Sequence, residues 1–176
     1  NILKSAYPNL WNRLKSLEDA MNTSSINIEE TRRGYKTIWI EKDGKKLYLH
    51  SKYNPIREAE AIIAEYEEIE SDTTVIFYGT GLGYHIDLFL QKYPDVDYYI
   101  YEPIPELLYT YLSHNSLRKL PSLKMKDLIL ADNEIEVRKF FNQLVDRTSG
   151  KYIHVVLSSH KNIFPEEYER FLESFK

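Results

Sequence analysis

Three of the six glycines in the sequence lie at the end of one hydrophobic run, where a phosphate-binding turn would form. Gly79, Gly81 and Gly83 stand at alternate positions directly after "VIFY" at residues 75–78, and a helical pattern follows them. Glycines between a strand and a helix let the backbone approach a phosphate closely, which is the chemistry of nucleotide-binding turns. The same glycines would also suit a turn that binds nothing, because they avoid Cβ clashes where the chain leaves a strand. Both interpretations stay open at this point.

Two acids are expected close to this turn. Glu102 ends the next predicted strand, about twenty residues after the glycines, and Asp132 follows the third. Because the carboxyl ends of parallel strands meet at one edge of a sheet, both side chains should face the glycine turn. Glu102 could then accept hydrogen bonds from two ribose hydroxyls, and Asp132 could bind an amino group on a base.

The glycine turn and the two acids together resemble the cofactor site of S-adenosylmethionine-dependent methyltransferases. The resemblance has defects. Tyr84 stands where the dinucleotide-binding pattern has its third glycine, and Phe77 stands where methyltransferases usually carry an acid. The catalytic motifs that follow the fourth strand of methyltransferases are missing as well. S-adenosylmethionine therefore remains an alternative ligand, and we assign no catalytic residue.

Further polar residues lie near the predicted site. His50 and Ser51 end a predicted hairpin and could contribute to it, or they could simply end a strand before the helix that begins at Asn54 and Pro55. His85 falls in the first turn after the glycines, where it could contact a ligand or belong to an exposed polar turn. "SSH" at residues 158–160 ends the fourth predicted strand and is expected only to add to a site built by other residues.

Composition excludes several classes of function. The net charge of −4 leaves no basic excess to neutralise phosphates, so we expect no nucleic-acid binding. The histidines show no metal-ligand spacing and cysteine is absent, so we predict no metal site. No apolar stretch approaches the roughly 18 residues that a membrane span requires. The absence of cysteine is compatible with a reducing cytoplasm, which is the compartment we expect.

The predicted elements define the fold class. Residues 3–21 show helical spacing, and an antiparallel meander follows, with a hairpin turn at Asp43 and Gly44 that sets Trp39 opposite Tyr48. A helix is expected from Asn54 and Pro55 to about residue 70. Strands then alternate with helices, which predicts a Rossmann-like α/β domain with a mostly parallel, doubly wound sheet.

These elements suggest a division of the chain. We expect residues 1–54 to form the N-terminal helix and the meander, and residues 55–176 to form the Rossmann-like part, the two making one compact unit. Because the sequence opens on asparagine, we expect it to be a fragment of a longer protein. Aromatic residues make up 14% of the chain, which favours either a core of large side chains or an interface lined with rings.

Three ordered motifs resemble the amino-terminal domain of the motility accessory factor (Maf) proteins. They are "YLHSKYNPIREAE", "VIFYGTGLGYHI" and "YYIYEP". The matching positions are His50, Ser51, Asn54, Pro55, Glu58, Ala59, Gly81, Leu82, Gly83, Tyr84, His85, Glu102 and Pro103. The resemblance covers most of the chain.

The Maf resemblance implies a function. The family is associated with flagellin glycosylation in motile bacteria, in which nonulosonic acids pass from a CMP-activated donor to serine or threonine. Its sialyltransferase-like domain lies downstream of the segment that this chain resembles, and no matching glycine-proline-serine turn occurs here. The resemblance therefore implies a non-catalytic domain, with the downstream catalytic domain and flagellin as partners and a CMP-sugar as the expected ligand. The alternative is a small-molecule enzyme that resembles the methyltransferases.

Overall fold

The computed structural model describes residues 2–21, 25–121, 123–147 and 151–175. The chain begins with two helices, α1 (Ile2–Ala6) and α2 (Pro8–Leu17), where the sequence pattern predicted one. The break falls at Pro8, which occupies the first turn of α2. Proline has no N–H to continue the hydrogen-bond ladder of α1, so it begins a new helix.

An antiparallel sheet of three strands follows: β1 (Ile26–Glu30), β2 (Lys36–Lys42) and β3 (Lys45–Tyr48). The predicted register of the hairpin is confirmed, since Trp39 lies opposite Tyr48. Asp43 and Gly44 form its turn with φ angles of 55° and 74°. Two successive positive φ angles match the right-handed twist of the flanking strands, which fixes the register.

The rest of the chain forms a four-stranded parallel sheet with the order β6-β5-β4-β7. Its strands are β4 (Thr74–Tyr78), β5 (Asp97–Glu102), β6 (Met125–Leu130) and β7 (Tyr152–Val156). The helices are α3 (Pro55–Ala64), α4 (Tyr84–Lys92), α5 (Pro105–His114), α6 (Glu134–Arg147), α7 (Ser158–Ile163) and α8 (Pro165–Glu173), with a short 3-10 helix at Leu117–Lys119. The strand order reverses between β4 and β7, as in doubly wound folds, and the predicted fold class is confirmed.

Helix α3 ends earlier than the sequence pattern indicated. It begins at Pro55, with the Asn54 side chain accepting a hydrogen bond from Arg57 N at 3.1 Å, but it ends at Ala64 rather than near residue 70. The next residues include Glu65, Glu67, Glu68 and Glu70. Carboxylates near a helix C-terminus oppose the helix dipole, which gives a physical reason for the early end.

Two apolar clusters cover the two faces of the parallel sheet. One contains Val75, Phe77, Tyr98 and Ile100 from the sheet, packed against residues of α2, α4 and α5. The other contains Ile76, Tyr78, Tyr99 and Tyr101, packed against residues of α6 and α8. The sheet is therefore buried on both faces, as its apolar strands require.

A third cluster places the meander over the carboxyl edge of the parallel sheet. From the meander and the residue after it come Ile38, Ile40 and Leu49. They pack with Leu82, Leu107, Leu157 and Ile163, which follow the carboxyl ends of β4, β5 and β7. The antiparallel sheet thus covers the edge at which α/β proteins usually bind ligands. The division of the chain at residue 54 stays a prediction.

Candidate functional site

The candidate site lies between the carboxyl ends of β4 and β7, where the strand order of the parallel sheet reverses. Ligands of doubly wound proteins bind in the crevice at such a point. Here the glycine turn leaves β4, and Gly79, Gly81 and Gly83 have φ angles of +87°, +51° and +82°. The predicted position of this turn, between a strand and a helix, is confirmed.

The space above the glycine turn holds side chains of the protein itself. A Cβ atom added to Gly79 would lie 3.0 Å from the ring of His160. One added to Gly81 would lie closer than 3.0 Å to the His50 ring, and one added to Gly83 equally close to Tyr111. The glycines therefore permit a close approach, and three rings of the same chain make that approach.

Glu102 is fully buried, and its carboxylate already accepts four hydrogen bonds. Thr80 donates to Oε1 from its backbone N at 2.9 Å and from its hydroxyl at 3.1 Å. Ile104 N donates to Oε2 at 3.0 Å, and His160 Nε2 lies 2.6 Å from the same oxygen. A carboxylate has about four acceptor positions, so none remains for a ribose hydroxyl in this arrangement. Ribose binding by Glu102 stays a prediction that would require His160 to move.

His50 also contacts the glycine turn, through the backbone of Leu82. Leu82 N donates a hydrogen bond to His50 Nε2 at 2.8 Å, and His50 Nδ1 lies 3.6 Å from Glu58 Oε1. The ring is only 2% exposed and packs edge-on against Tyr84, with 5.2 Å between ring centroids. His50 therefore joins the meander to the glycine turn, a role that its position at the end of a strand did not reveal.

Ser51 lies outside this cluster and shapes the turn before α3. Its hydroxyl oxygen accepts hydrogen bonds from the backbone N of Tyr53 and of Asn54, each at 3.1 Å. These contacts fit the interpretation of Ser51 as part of a strand end and helix start. Ligand binding by Ser51 stays a prediction.

His85 is buried, although its position suggested an exposed polar turn as one alternative. Its Nε2 lies 3.0 Å from the Gly79 carbonyl oxygen, to which it donates. Burial, together with nearby His50, lowers the pKa of His85 to about 3, so the ring is neutral at pH 7. His85 therefore stabilises the glycine turn as an uncharged hydrogen-bond donor to the Gly79 carbonyl.

Tyr84 forms the wall of a small cleft beside the turn, with a volume of about 330 Å³. Its hydroxyl donates to the backbone carbonyl of Lys36, which joins α4 to the meander. Across the cleft, Lys119 Nζ lies 3.0 Å from Asp87 Oδ2. Burial raises the pKa of Asp87, and the contact with Lys119 opposes that shift. This cleft provides open space next to the glycine turn.

The Asp132 side chain contacts a different part of the molecule. The guanidinium of Arg13 forms a short ion pair with Asp132 Oδ1 and donates to the Leu130 carbonyl oxygen at 3.0 Å. Among the described residues, no contact joins Asp132 to the glycine turn or to Glu102. Asp132 thus attaches α2 to the end of β6, and its proposed role in binding a base stays a prediction.

His160, in the SSH stretch that was expected only to add to a site built by other residues, lies at its centre, and Tyr111 was not predicted to belong to the site at all. His160 follows β7, the strand beside the switch point, at which the strand order of the parallel sheet reverses. This position in the sequence was the available signal that His160 belongs to the site.

Thr80, Glu102 and His160 form a hydrogen-bonded chain, but each is completely buried. Thr80 also donates to the acid and not to the imidazole, so the chain lacks the order of a nucleophilic triad. Within the described ranges, no group of three potential metal ligands occurs.

The fold and the site define a doubly wound α/β domain whose ligand edge is covered by its own residues. The family described as Glycosyltransferase Maf N-terminal domain matches residues 4–117. The chain belongs to this family, and the predicted resemblance is confirmed. No curated protein and no solved structure gives a significant match.

In the part of the chain that the structure describes, no helix has the length and apolar character needed to cross a bilayer.

The contact between Gly81 and His50 can be tested against a glycine that has open space. Gly44 also has a positive φ, but no described atom lies within 4 Å of an added Cβ. We expect Gly44→Ala to lower the free energy of unfolding by about 1–2 kcal/mol, the cost of the left-handed backbone. Gly81→Ala should cost about 3 kcal/mol or more, because it also displaces His50. Urea denaturation measures both, and equal losses would contradict the proposed packing.

The low pKa of His85 predicts a pH dependence of stability. Between the ordinary pKa of 6.5 and the folded value of about 3, the unfolded chain binds a proton at this site that the folded chain does not. The contribution of neutral His85 should be complete above pH 6.5 and decline as the pH falls, by up to about 1.4 kcal/mol per pH unit.

We expect denaturation curves of the wild type to lose stability more steeply between pH 6 and pH 4 than those of His85→Gln, which keeps a donor but does not titrate. His114→Gln, at an exposed histidine, serves as the control and should follow the wild type. Parallel losses in the wild type and His85→Gln would show that the pKa of His85 is not lowered by folding.

Proposed function

We propose that this chain is a non-catalytic positioning domain of a flagellin glycosyltransferase. Membership of the Maf N-terminal family supports its place in a glycosyltransferase. The observation that supports a non-catalytic role is the Glu102–His160 pair at the switch point, because both side chains are fully buried. On this proposal, the domain uses its edge residues to hold its own shape and to present a surface to the catalytic domain.

The hydrogen bonding at the carboxyl edge supports positioning over nucleotide binding. A ribose at Glu102 would have to replace at least one of four existing hydrogen bonds. Leaving a buried carboxylate without its charged or polar partner costs about 3–5 kcal/mol. A ligand would also need the space that the rings of His50, Tyr111 and His160 occupy. A CMP-sugar or S-adenosylmethionine could bind here only after these side chains had moved.

The family resemblance supports the remaining parts of the proposal. It points to flagellin as the acceptor and to a role in bacterial motility. The absence of cysteine is compatible with the reducing cytoplasm, which we propose as the compartment. The transfer of a nonulosonic acid from its CMP donor is assigned to the downstream catalytic domain. The 43% content of hydrophobic residues is used mainly in three packed clusters, which suits a rigid support for another domain.

Isothermal titration calorimetry with CMP, a CMP-sugar and S-adenosylmethionine tests the proposal. We expect no heat of binding from the wild-type chain at millimolar ligand, because the edge is filled. His160→Ala removes the side chain that fills the switch point, so it tests whether this filling is what prevents ligand binding. His114→Ala is the control at an exposed histidine. Saturable binding by the wild type that is lost in Glu102→Ala would contradict the closed edge and establish a nucleotide-type site.

A further inference from the structure

The parallel sheet has two edge strands in the part of the chain that the structure describes, β6 and β7. An edge strand presents a row of N–H and C=O groups that can pair with a strand of another chain. Proteins prevent such pairing with charged side chains, bulges, or segments that cover the edge. The two edges of this sheet are protected in different ways.

The β6 edge is protected by charged side chains. Lys126 and Asp127 lie within the strand, and its pairing with β5 has one irregularity in register. Asp127 Oδ1 accepts a hydrogen bond from Leu128 N at 2.8 Å. Arg13, from α2, donates to the Leu130 carbonyl oxygen at 3.0 Å. Side chains of the same molecule therefore occupy backbone polar groups of β6.

The β7 strand carries no comparable protection of its own. Its sequence, "YIHVV" at residues 152–156, contains no Asp, Glu, Lys, Arg or Pro. Burial lowers the pKa of His154, so this ring is neutral at pH 7. The pairing of β7 with β4 is regular, and β-branched and aromatic residues favour further strand pairing. An uncharged edge of this kind would be expected to pair with a strand of a second copy.

The direction of the β7 backbone shows which groups face the edge. Thr74 N, in β4, donates to the Lys151 carbonyl oxygen at 2.9 Å. The N–H and C=O of one strand residue point to the same side, and successive residues alternate between the two sides. The odd-numbered residues within 151–157 therefore bond to β4. The backbone groups of His154 and Val156 point away from the sheet.

The Tyr66 hydroxyl bonds to two of these outward groups. It donates to the His154 carbonyl oxygen at 2.6 Å. Burial raises the pKa of Tyr66, and a hydrogen bond from the backbone of Val156 opposes that rise. Since only an N–H group stabilises a phenolate in this way, Val156 N donates to the hydroxyl oxygen. A residue of an added parallel strand would form the same two hydrogen bonds, one as donor and one as acceptor.

The early end of α3 brings Tyr66 to the β7 edge, because the helix ends two residues before it. The Tyr93 hydroxyl donates to the Tyr66 carbonyl oxygen at 3.0 Å, and the Tyr66 ring packs edge-on against Phe89. Further along the segment, Glu70 lies 3.8 Å from Lys151, but both side chains are exposed, so this ion pair contributes little. The hydroxyl of Tyr66 is therefore the main polar contact between this segment and the edge.

We propose that the Tyr66 hydroxyl takes the place of a strand residue and keeps the β7 edge from pairing with the β7 edge of a second copy. Two identical edges can pair antiparallel about a twofold axis, so a second copy offers a matching partner. The inference goes beyond the positioning function and does not depend on it. It identifies what prevents the parallel sheet from extending across two molecules.

Amide hydrogen exchange tests the contact itself. In the wild type, Val156 N should be protected at least about a hundredfold relative to an unstructured amide, although it faces outward. The ratio of the exchange rate at Val156 to that at Val155, which bonds to β4, should rise at least about tenfold in Tyr66→Phe. Tyr98→Phe is the matched control, since it also loses a hydroxyl that donates to a backbone carbonyl, that of Pro121 at 3.1 Å. It should leave the ratio unchanged.

Sedimentation equilibrium tests the consequence for self-association. We expect the association constant of Tyr66→Phe to exceed that of the wild type at least about tenfold, because the edge then has two unsatisfied polar groups. Tyr98→Phe should follow the wild type. Adding Tyr152→Lys to Tyr66→Phe should restore the wild-type value, because a lysine on an edge strand opposes pairing.

Three outcomes would overturn the proposal. Exchange of Val156 N in the wild type at the rate of an unstructured amide would exclude the contact, whether or not the variants fold. Equal association constants for the wild type and Tyr66→Phe would exclude the effect on pairing. Association that Tyr98→Phe shares, or that Tyr152→Lys does not reduce, would show that partly unfolded chains associate and that the β7 edge is not the contact.

Discussion

The buried carboxylate of Glu102 is the contact on which the arrangement of the carboxyl edge depends. It joins three segments that are distant in sequence: the glycine turn through Thr80, the start of α5 through Ile104, and the residues after β7 through His160. A buried carboxylate is stable only when its oxygens are satisfied, so these three segments must be in place together. The position that usually receives ribose in a doubly wound fold is therefore occupied by an imidazole from the same chain.

The antiparallel meander completes this closed edge. Ile38 and Leu49 pack on residues that follow the parallel strands, and His50 accepts the Leu82 N–H. Ser159, next to His160, donates a hydrogen bond to the Leu49 carbonyl and so joins α7 to the meander. His160 lies beyond residue 117, where the family match ends, yet it occupies the centre of the site. The domain retains the topology of a nucleotide-binding fold and uses its ligand edge for internal packing.

Local sequence signals predicted most of the fold. The register at Asp43 and Gly44 depends on neighbouring residues, and the alternation of strands and helices defined the parallel sheet. The nearness of the glycine turn to Glu102 followed from the meeting of parallel strand ends, whereas the contact of His50 with that turn did not. What fills the space between them could not be predicted, because the contacts of His160 and Tyr111 with the glycine turn join residues far apart in sequence. Asp132 was placed differently for the same reason, since its partner Arg13 lies at the other end of the chain.

Amide hydrogen exchange at the glycine turn tests the closed edge most directly. Thr80 N donates to Glu102 and Leu82 N donates to His50, so both amides are protected only while those side chains stay in place. If the edge is a permanent part of the fold, both amides should exchange with the same free energy of opening as Phe77 in the centre of β4, within about 1 kcal/mol. Exchange at Thr80 and Leu82 about a hundredfold faster than at Phe77 would show that the edge opens by itself, and would contradict a permanently closed edge.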